Sequence, residues 1–240
     1  MTENEMILLS SEDTFDFSCT KHIPCFNECC RDLNQFLTPY DILRLKNRLN
    51  ISSALFLERY TRQHTGPESG LPVVTFKTGA DLKCPFVTPQ GCSVYEDRPS
   101  SCRMYPLMRM ISRSRETGRI TEQYVLLKEE HCLGFGQDRK WTAKAWIKDQ
   151  GLGPYNEMND RLMEIIALKN QKHPGPLDIK SRHFFHISLY DLDAFRTQVF
   201  EKGILTDLHA DPEISEAAKT DDTALLKLGV EWIKQTIFKG

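Results

Sequence analysis

Residues 19–30 read Cys19-Thr20-Lys21-His22-Ile23-Pro24-Cys25-Phe26-Asn27-Glu28-Cys29-Cys30. Four more cysteines follow at Cys84, Cys92, Cys102 and Cys132, and none lies beyond Cys132 in a chain of 240 residues. Cysteines used as small core hydrophobes would scatter along the chain. Thiols gathered in one part of it point to a metal, a disulfide framework or redox chemistry.

The bulk composition sets the frame. A hydrophobic fraction of 40% and a charged fraction of 27% are those of an ordinary globular protein, long enough to bury a core without staples. The net charge of −2 gives no global basic field for nucleic acid, although Arg98–Arg119 is locally basic through Arg103, Arg109, Arg113 and Arg115. The N-terminus lacks a basic segment, and its apolar run, Met6–Leu9, is too short for a secretory signal. No stretch approaches the ~18 apolar residues that span a membrane. The expected compartment is the cytoplasm, where thiols stay reduced, with neither nucleic acid nor membrane as partner. A protein or small-molecule partner is left open.

Outward from the first cluster, which reads as loop, Thr38 caps a helix with Pro39 at its first position and Asp41 three residues on. Ile42, Leu45 and Leu49 share its face and Asn50 ends it. Ser52 or Ser53 opens a second helix that buries Leu55, Phe56 and Tyr60. Gln63–Gly70 reads as a polar loop and Leu71–Lys77 as a strand. Pro89-Gln90-Gly91 is a turn, Ser93–Tyr95 a short strand, and Pro99 opens a helical turn carrying Cys102. Tyr105–Ser112 and Ile120–Lys128 suggest a hairpin around Gly118. Lys140–Gln150, Tyr155–Lys172, Ser188–Glu201 and Thr223–Phe238 read as helices, with Pro174-Gly175-Pro176 as linker. Lys180–His183 reads as a solvated loop. The expected class is α+β. A small cysteine-rich, metal-organised α+β half (15–135) with a short antiparallel hairpin is followed by a helical extension (136–240) packed on it as one continuous unit.

Thiolates are soft ligands, suited to zinc and iron–sulfur clusters rather than magnesium or calcium. Each such site takes four, so eight thiols fill two four-ligand sites, or one cluster with ligands left for a second metal. Spacing leaves the grouping open. In extended backbone Cys29 and Cys30 would point to opposite sides; in a turn both could face one site. Cys25-x3-Cys29 fits a zinc hook, but Cys84-x7-Cys92 does not. The radical-SAM pattern C-x3-C-x2-C fails because Asp32 stands at its third position. The metal set is therefore Cys19, Cys25, Cys29, Cys30, Cys84, Cys92, Cys102 and Cys132, holding an iron–sulfur cluster, 4Fe–4S in the first instance, or zinc. Arg98, Arg103 and Arg31 are placed to balance thiolate charge, against the plainer reading of surface arginines. His22 and His131 adjoin the set as alternative ligands, against the plainer reading of solvated side chains.

The motifs resemble those of the bacterial YkgJ-type cysteine-cluster proteins, a family described as zinc- or iron-chelating. They are Phe17 and Cys19, the pair Cys29-Cys30, Cys84-Pro85-Phe86, Gly91-Cys92-Ser93-Val94-Tyr95, Arg98-Pro99, Cys102-Arg103, Tyr105-Pro106 and His131-Cys132-Leu133-Gly134. The family's first cluster is commonly C-x-x-C-x-x-C-C, whereas the gaps before Cys25 and Cys29 are longer here. The resemblance spans roughly 15–135, with a weaker likeness at Tyr190–Arg196. It implies metal binding through the eight cysteines. Through the related flagellin lysine-N-methylases it also suggests S-adenosylmethionine and lysine methylation, although the chain has no G-x-G-x-x-G loop. The fold does not carry a reaction with it, and none is assigned. A third reading makes the metal purely structural and the Leu225–Phe238 stretch a binding surface, against the commoner outcome that such a stripe is core.

Overall fold

The computed structural model describes residues 4–32, 35–66, 70–113, 120–204, 208 and 211–238. In chain order, β1 (Glu5–Leu9) and β2 (Thr14–Asp16) lead to a 3-10 turn at Glu28–Cys30. Then come α1 (Pro39–Leu49), α2 (Ser53–Tyr60), β3 (Thr61–Thr65) and β4 (Pro72–Phe76). They are followed by β5 (Val87–Thr88), β6 (Gly91–Cys92), a 3-10 turn at Tyr95–Asp97, α3 (Ser100–Met104), β7 (Leu107–Arg113) and β8 (Ile120–Lys128). A 3-10 turn at Leu133–Gly136, β9 (Lys140–Thr142) and α4 (Ala143–Asp149) precede α5 (Gly153–Lys172). The chain closes with α6 (Ile179–Leu189), α7 (Leu192–Phe200), α8 (Pro212–Ala217) and α9 (Asp222–Thr236). The class is α+β, as expected.

The chain divides into two compact units. One joins Met1–Leu33 to Thr78–Pro154; the other joins Asn34–Lys77 to Tyr155–Gly240. All eight cysteines fall in the first. The segment 34–77, which follows the first cysteine cluster in sequence, groups with the C-terminal helices.

In the cysteine unit an antiparallel sheet runs β1-β8-β7. Alternation along β8 puts Tyr124 and Leu126 on one face, where they register with Leu9 and Leu107; all four are buried, as is Val125 on the opposite face. The expected hairpin is present, while its Gly118 turn and Arg115 lie outside the described residues. β1 was not anticipated: Met6–Leu9 is too short to stand out, and becomes a strand by pairing with β8. β2 pairs with β9, so Lys140–Thr142 is strand rather than helix; Thr142 instead caps α4, accepting from Ala145 N at 3.1 Å. Ser93–Tyr95 is not a strand either. Ser93 turns back, its N and Oγ both donating to Phe86 O, at 2.9 and 3.0 Å, and the chain enters the 3-10 turn.

In the helical unit α1 carries the full capping box, with Thr38 Oγ1 accepting from Asp41 N and Asp41 accepting from Thr38 N. Asn50 ends α1 in the left-handed region at φ 52°, a conformation Asn tolerates. Gln63–Thr65, expected as loop, belongs to β3, whose polar residues pair with the apolar strand β4; residues 67–69 lie outside the described set. Lys180–His183, also expected as loop, lies in α6, opened by Asp178 accepting from Ser181 N at 2.9 Å. The helix expected over Ser188–Glu201 is two helices. They break at Tyr190-Asp191, where Asp191 caps α7 and also accepts from Ser53 Oγ at 2.6 Å. That second contact comes from far along the chain and has no local signature. Leu225, Leu228, Val230, Trp232 and Ile233 are buried, so the α9 stripe is core, not a binding surface.

α9 approaches α6 closely at Gly229, where an added Cβ would stand 2.3 Å from the Ser188 carbonyl oxygen. The obstacle is backbone and cannot swing aside. Gly229→Ala is expected to destabilise the protein by about 3 kcal/mol, the upper end of overpacking costs. The check is the urea midpoint, and an unchanged midpoint would contradict the packing.

Candidate metal centre

The two cysteine-bearing stretches meet because residues 34–77 loop out of the unit that holds them. The N-terminal stretch is stitched to the second by Cys84 N donating to Cys30 O (2.8 Å) and Asp32 N to Leu82 O (2.8 Å). Asn27 Nδ2 donates to Thr88 O at 2.9 Å. Gly91, at φ +117°, lies against the Phe26 ring, 3.1 Å from where its Cβ would stand, so a side chain there would be strained as well as crowded. A third stretch joins through Ser18 N to Gly134 O (3.0 Å) and Phe17 N to Arg139 O (2.8 Å). Phe17 is buried beneath, edge-on to Tyr105 and Trp146. Its ring lies 2.6 Å from the place of a Cβ on Gly134, which explains a glycine two residues after Cys132.

No disulfide joins any of the eight cysteines. Cys19 and Cys29 are exposed and the other six half-buried. Cys29 and Cys30 sit in a 3-10 turn entered by Asn27 at φ 72°, so of the two sequence alternatives the turn holds. Their thiols hydrogen-bond each other. That bond pulls Cys29 down to about 7 and drives Cys30 far above the ordinary thiol range, with burial adding to the rise. Cys29 is also a like-charged neighbour of Cys19, Cys84, Cys92 and Cys132. Around it the neighbours fall into two sets. Cys19 is acted on by Cys29, Cys132 and Cys25, and Cys132 by Cys25 and Cys29. Cys30 is acted on by Cys102 and Cys84, and Cys84 by Cys92.

Burial and these neighbours push Cys19 and Cys84 up to about 11. Backbone N–H groups oppose the rise at three of the thiols. The N–H two residues on bonds the sulfur in each case: Phe86 for Cys84, Val94 for Cys92 and Gly134 for Cys132. Leu133 N donates to Cys25 Sγ at 3.2 Å. Such donors stabilise the thiolate over the thiol, the form that binds metal. Their sequence signal is slight, namely a residue other than proline two after the cysteine.

Tyr105 gives a further test of fit. Its hydroxyl is buried without a hydrogen bond of normal geometry. Burial, then the Cys132 thiol and Glu129 carboxylate beside it, drive its pKa far above the usual phenol range. A buried phenol lacking a full partner is costly, and a thiolate at Cys132 would accept from it. The donor set thus suits a thiophilic cation. Among the described residues, no three His, Cys, Asp or Glu side chains already stand in a geometry that could hold a metal ion, so the sulfurs would have to close on it.

Of the flanking groups, Arg31 is exposed and bridges Lys83 by backbone, while Arg98 and Arg103 are buried. Gln150, which the sequence reading missed, binds both: its side chain accepts from Arg98 Nη2, and its carbonyl from Arg103 Nη1 at 2.7 Å. Tyr95 is 54% exposed and lies under the Arg98 guanidinium. His22 is exposed, and His131 lies 3.8 Å from Glu129.

A small α+β unit that carries all eight thiols, several under N–H donors, has the donor chemistry of a metal-chelating protein. Residues 18–133 match the CxxCxxCC family model, described as "Putative zinc- or iron-chelating domain", the cysteine-cluster family that the motifs resemble. No curated protein and no solved structure matches the chain. Among the described residues no helix is long and apolar enough to cross a membrane.

Proposed function

We propose that this protein chelates metal at two four-thiolate sites, Cys19/Cys25/Cys29/Cys132 and Cys30/Cys84/Cys92/Cys102, which share the vicinal pair as their common wall. The observation that supports this is the neighbourhood of Cys29-Cys30: Cys29 has Cys19 and Cys132 beside it and Cys30 has Cys84 and Cys102, while Cys29 also neighbours Cys84 and Cys92, so that the two sets adjoin at the pair. Iron, as an iron–sulfur cluster, is the metal favoured over zinc. The spacings depart from zinc hooks, and N–H donors on the sulfurs are a means by which proteins set the potential of such clusters. Bound iron–sulfur would supply one-electron chemistry. The chain's own residues offer backbone N–H donors to the sulfurs of Cys25, Cys84, Cys92 and Cys132 and, through Tyr105, a hydroxyl to that of Cys132. Free thiols of this kind persist in a reducing cytoplasm, the compartment we assign.

The test is anaerobic purification followed by metal analysis, acid-labile sulfide assay and a visible spectrum. Brown protein containing iron and sulfide is expected. Colourless protein with two zinc ions per chain would keep the two sites and overturn the iron assignment. Protein that takes up neither metal would overturn both.

A further inference from the structure

Arg98 is 8% exposed, so its cation has left water. Its guanidinium stacks 3.8 Å from the Tyr95 ring centroid. Nη1 donates to Tyr95 O at 2.6 Å and Nη2 to Gln150 Oε1. Both acceptors are neutral, and among the described residues no carboxylate forms an ion pair with it. A buried charge without an opposite charge is costly, and a stacked, forked guanidinium is held firmly in place. Besides the Tyr95 phenol, the groups near enough to offer it negative charge are the Cys102 and Cys92 thiols. As thiols they are neutral and the cation goes uncompensated. As metal-bound thiolates, four around a divalent ion carry a net negative charge, and the cation becomes their counter-ion.

On the two-site reading above, we propose that Arg98 is a positioning residue for the Cys30/Cys84/Cys92/Cys102 site: its fixed positive charge compensates the thiolates of Cys92 and Cys102 and sets the metal affinity of that site. The Cys19/Cys25/Cys29/Cys132 site has no such dependence on it. The role is one of charge, so it survives a change of cation shape but not the loss of the cation.

The test titrates reduced, metal-stripped protein with Co2+ and follows the thiolate-to-cobalt charge-transfer absorption. Wild type, Arg98→Gln and Arg98→Lys are compared. Wild type is expected to take two equivalents. Arg98→Gln should bind one of them as wild type does and the other about 10- to 100-fold more weakly, the usual cost of losing an outer-shell partner. Arg98→Lys, which keeps the charge and loses the fork, should regain most of that loss. Identical binding by Arg98→Gln and wild type would overturn the proposal, as would a Lys variant as weak as Gln, since the fork and not the charge would then matter. Should Arg98→Gln fail to fold by circular dichroism, the Lys variant decides alone: strong binding supports the charge role and weak binding overturns it. A wild type with no charge-transfer absorption would instead overturn the metal reading itself.

Discussion

Stripping the metal from the reduced protein is expected to unfold the cysteine unit while the helical unit keeps its structure. The cysteine unit contains the sheet β1-β8-β7, short strand pairs and only two α-helices among its described residues, Ser100–Met104 and Ala143–Asp149, and its three cysteine-bearing stretches meet where the thiols are. Without metal, those thiols repel one another when ionised and raise one another's pKa. A thiophilic cation reverses the sign of that interaction. Structural zinc contributes about 10–16 kcal/mol of apparent binding energy in small peptides, comparable with the whole net stability of a domain, about 5–15 kcal/mol. Trp141 and Trp146 lie in the cysteine unit and Trp232 in the helical one. The expected signature is therefore an early fluorescence transition from the first two with retained helical circular dichroism. Cys29→Ser and Cys30→Ser should each lose half of the bound metal, because each serves a different site. A chelated protein unfolding at the untreated midpoint, or a single variant losing all metal with its fold intact, would contradict this.

Lys46→Met is expected to cost about 3 kcal/mol at neutral pH. Lys46 on α1 is 5% exposed and its ammonium joins Asp222 at 2.8 Å and Asp193 at 3.3 Å. Removing one member of a buried pair typically costs ~3–5 kcal/mol because the partner charge is stranded. The lower end applies, since the Asp193 side chain is 39% exposed and Asp222 keeps Arg196. The pH dependence has a definite sign. Burial alone would raise Asp193, but Ser53 N–H and Lys46 outweigh it and hold the carboxyl below its usual range. At Asp222, too, burial is outweighed by Lys46, Asn47 and Arg196. Carboxylates depressed in the folded state add stability that is present above their unfolded pKa of about 4 and is lost as pH falls through the folded value. Urea midpoints should therefore fall less on acidification below about pH 4 in Lys46→Met than in wild type. Equal midpoints at pH 7 would refute the buried pair.

Much of the local structure was legible because its causes are local. Thr38, Pro39 and Asp41 specify the start of α1, and Pro99 the short helix that carries Cys102. The hairpin β7–β8 follows from two strand-like runs on either side of a polar segment with Gly118. What escaped depends on distant partners. Lys140–Thr142 has helical composition on its C-terminal side, yet pairs with β2. Asp191 breaks an apparently continuous helix because Ser53 waits for its carboxylate. The polar Thr61–Thr65 becomes a strand only because β4 lies beside it.

The cysteines divide the same way. The sequence by itself determined the number and kind of candidate ligands, since thiol chemistry is a property of the residue and the motifs around it are short. Only the tertiary structure decided that residues 34–77 leave the unit and bring Cys30 to Cys84, that Cys29 and Cys30 share a turn, and that Arg98 is buried on neutral acceptors near Cys92 and Cys102. Ligand grouping and charge compensation act through space over a few ångströms, and spacing along a chain does not encode the path by which it returns.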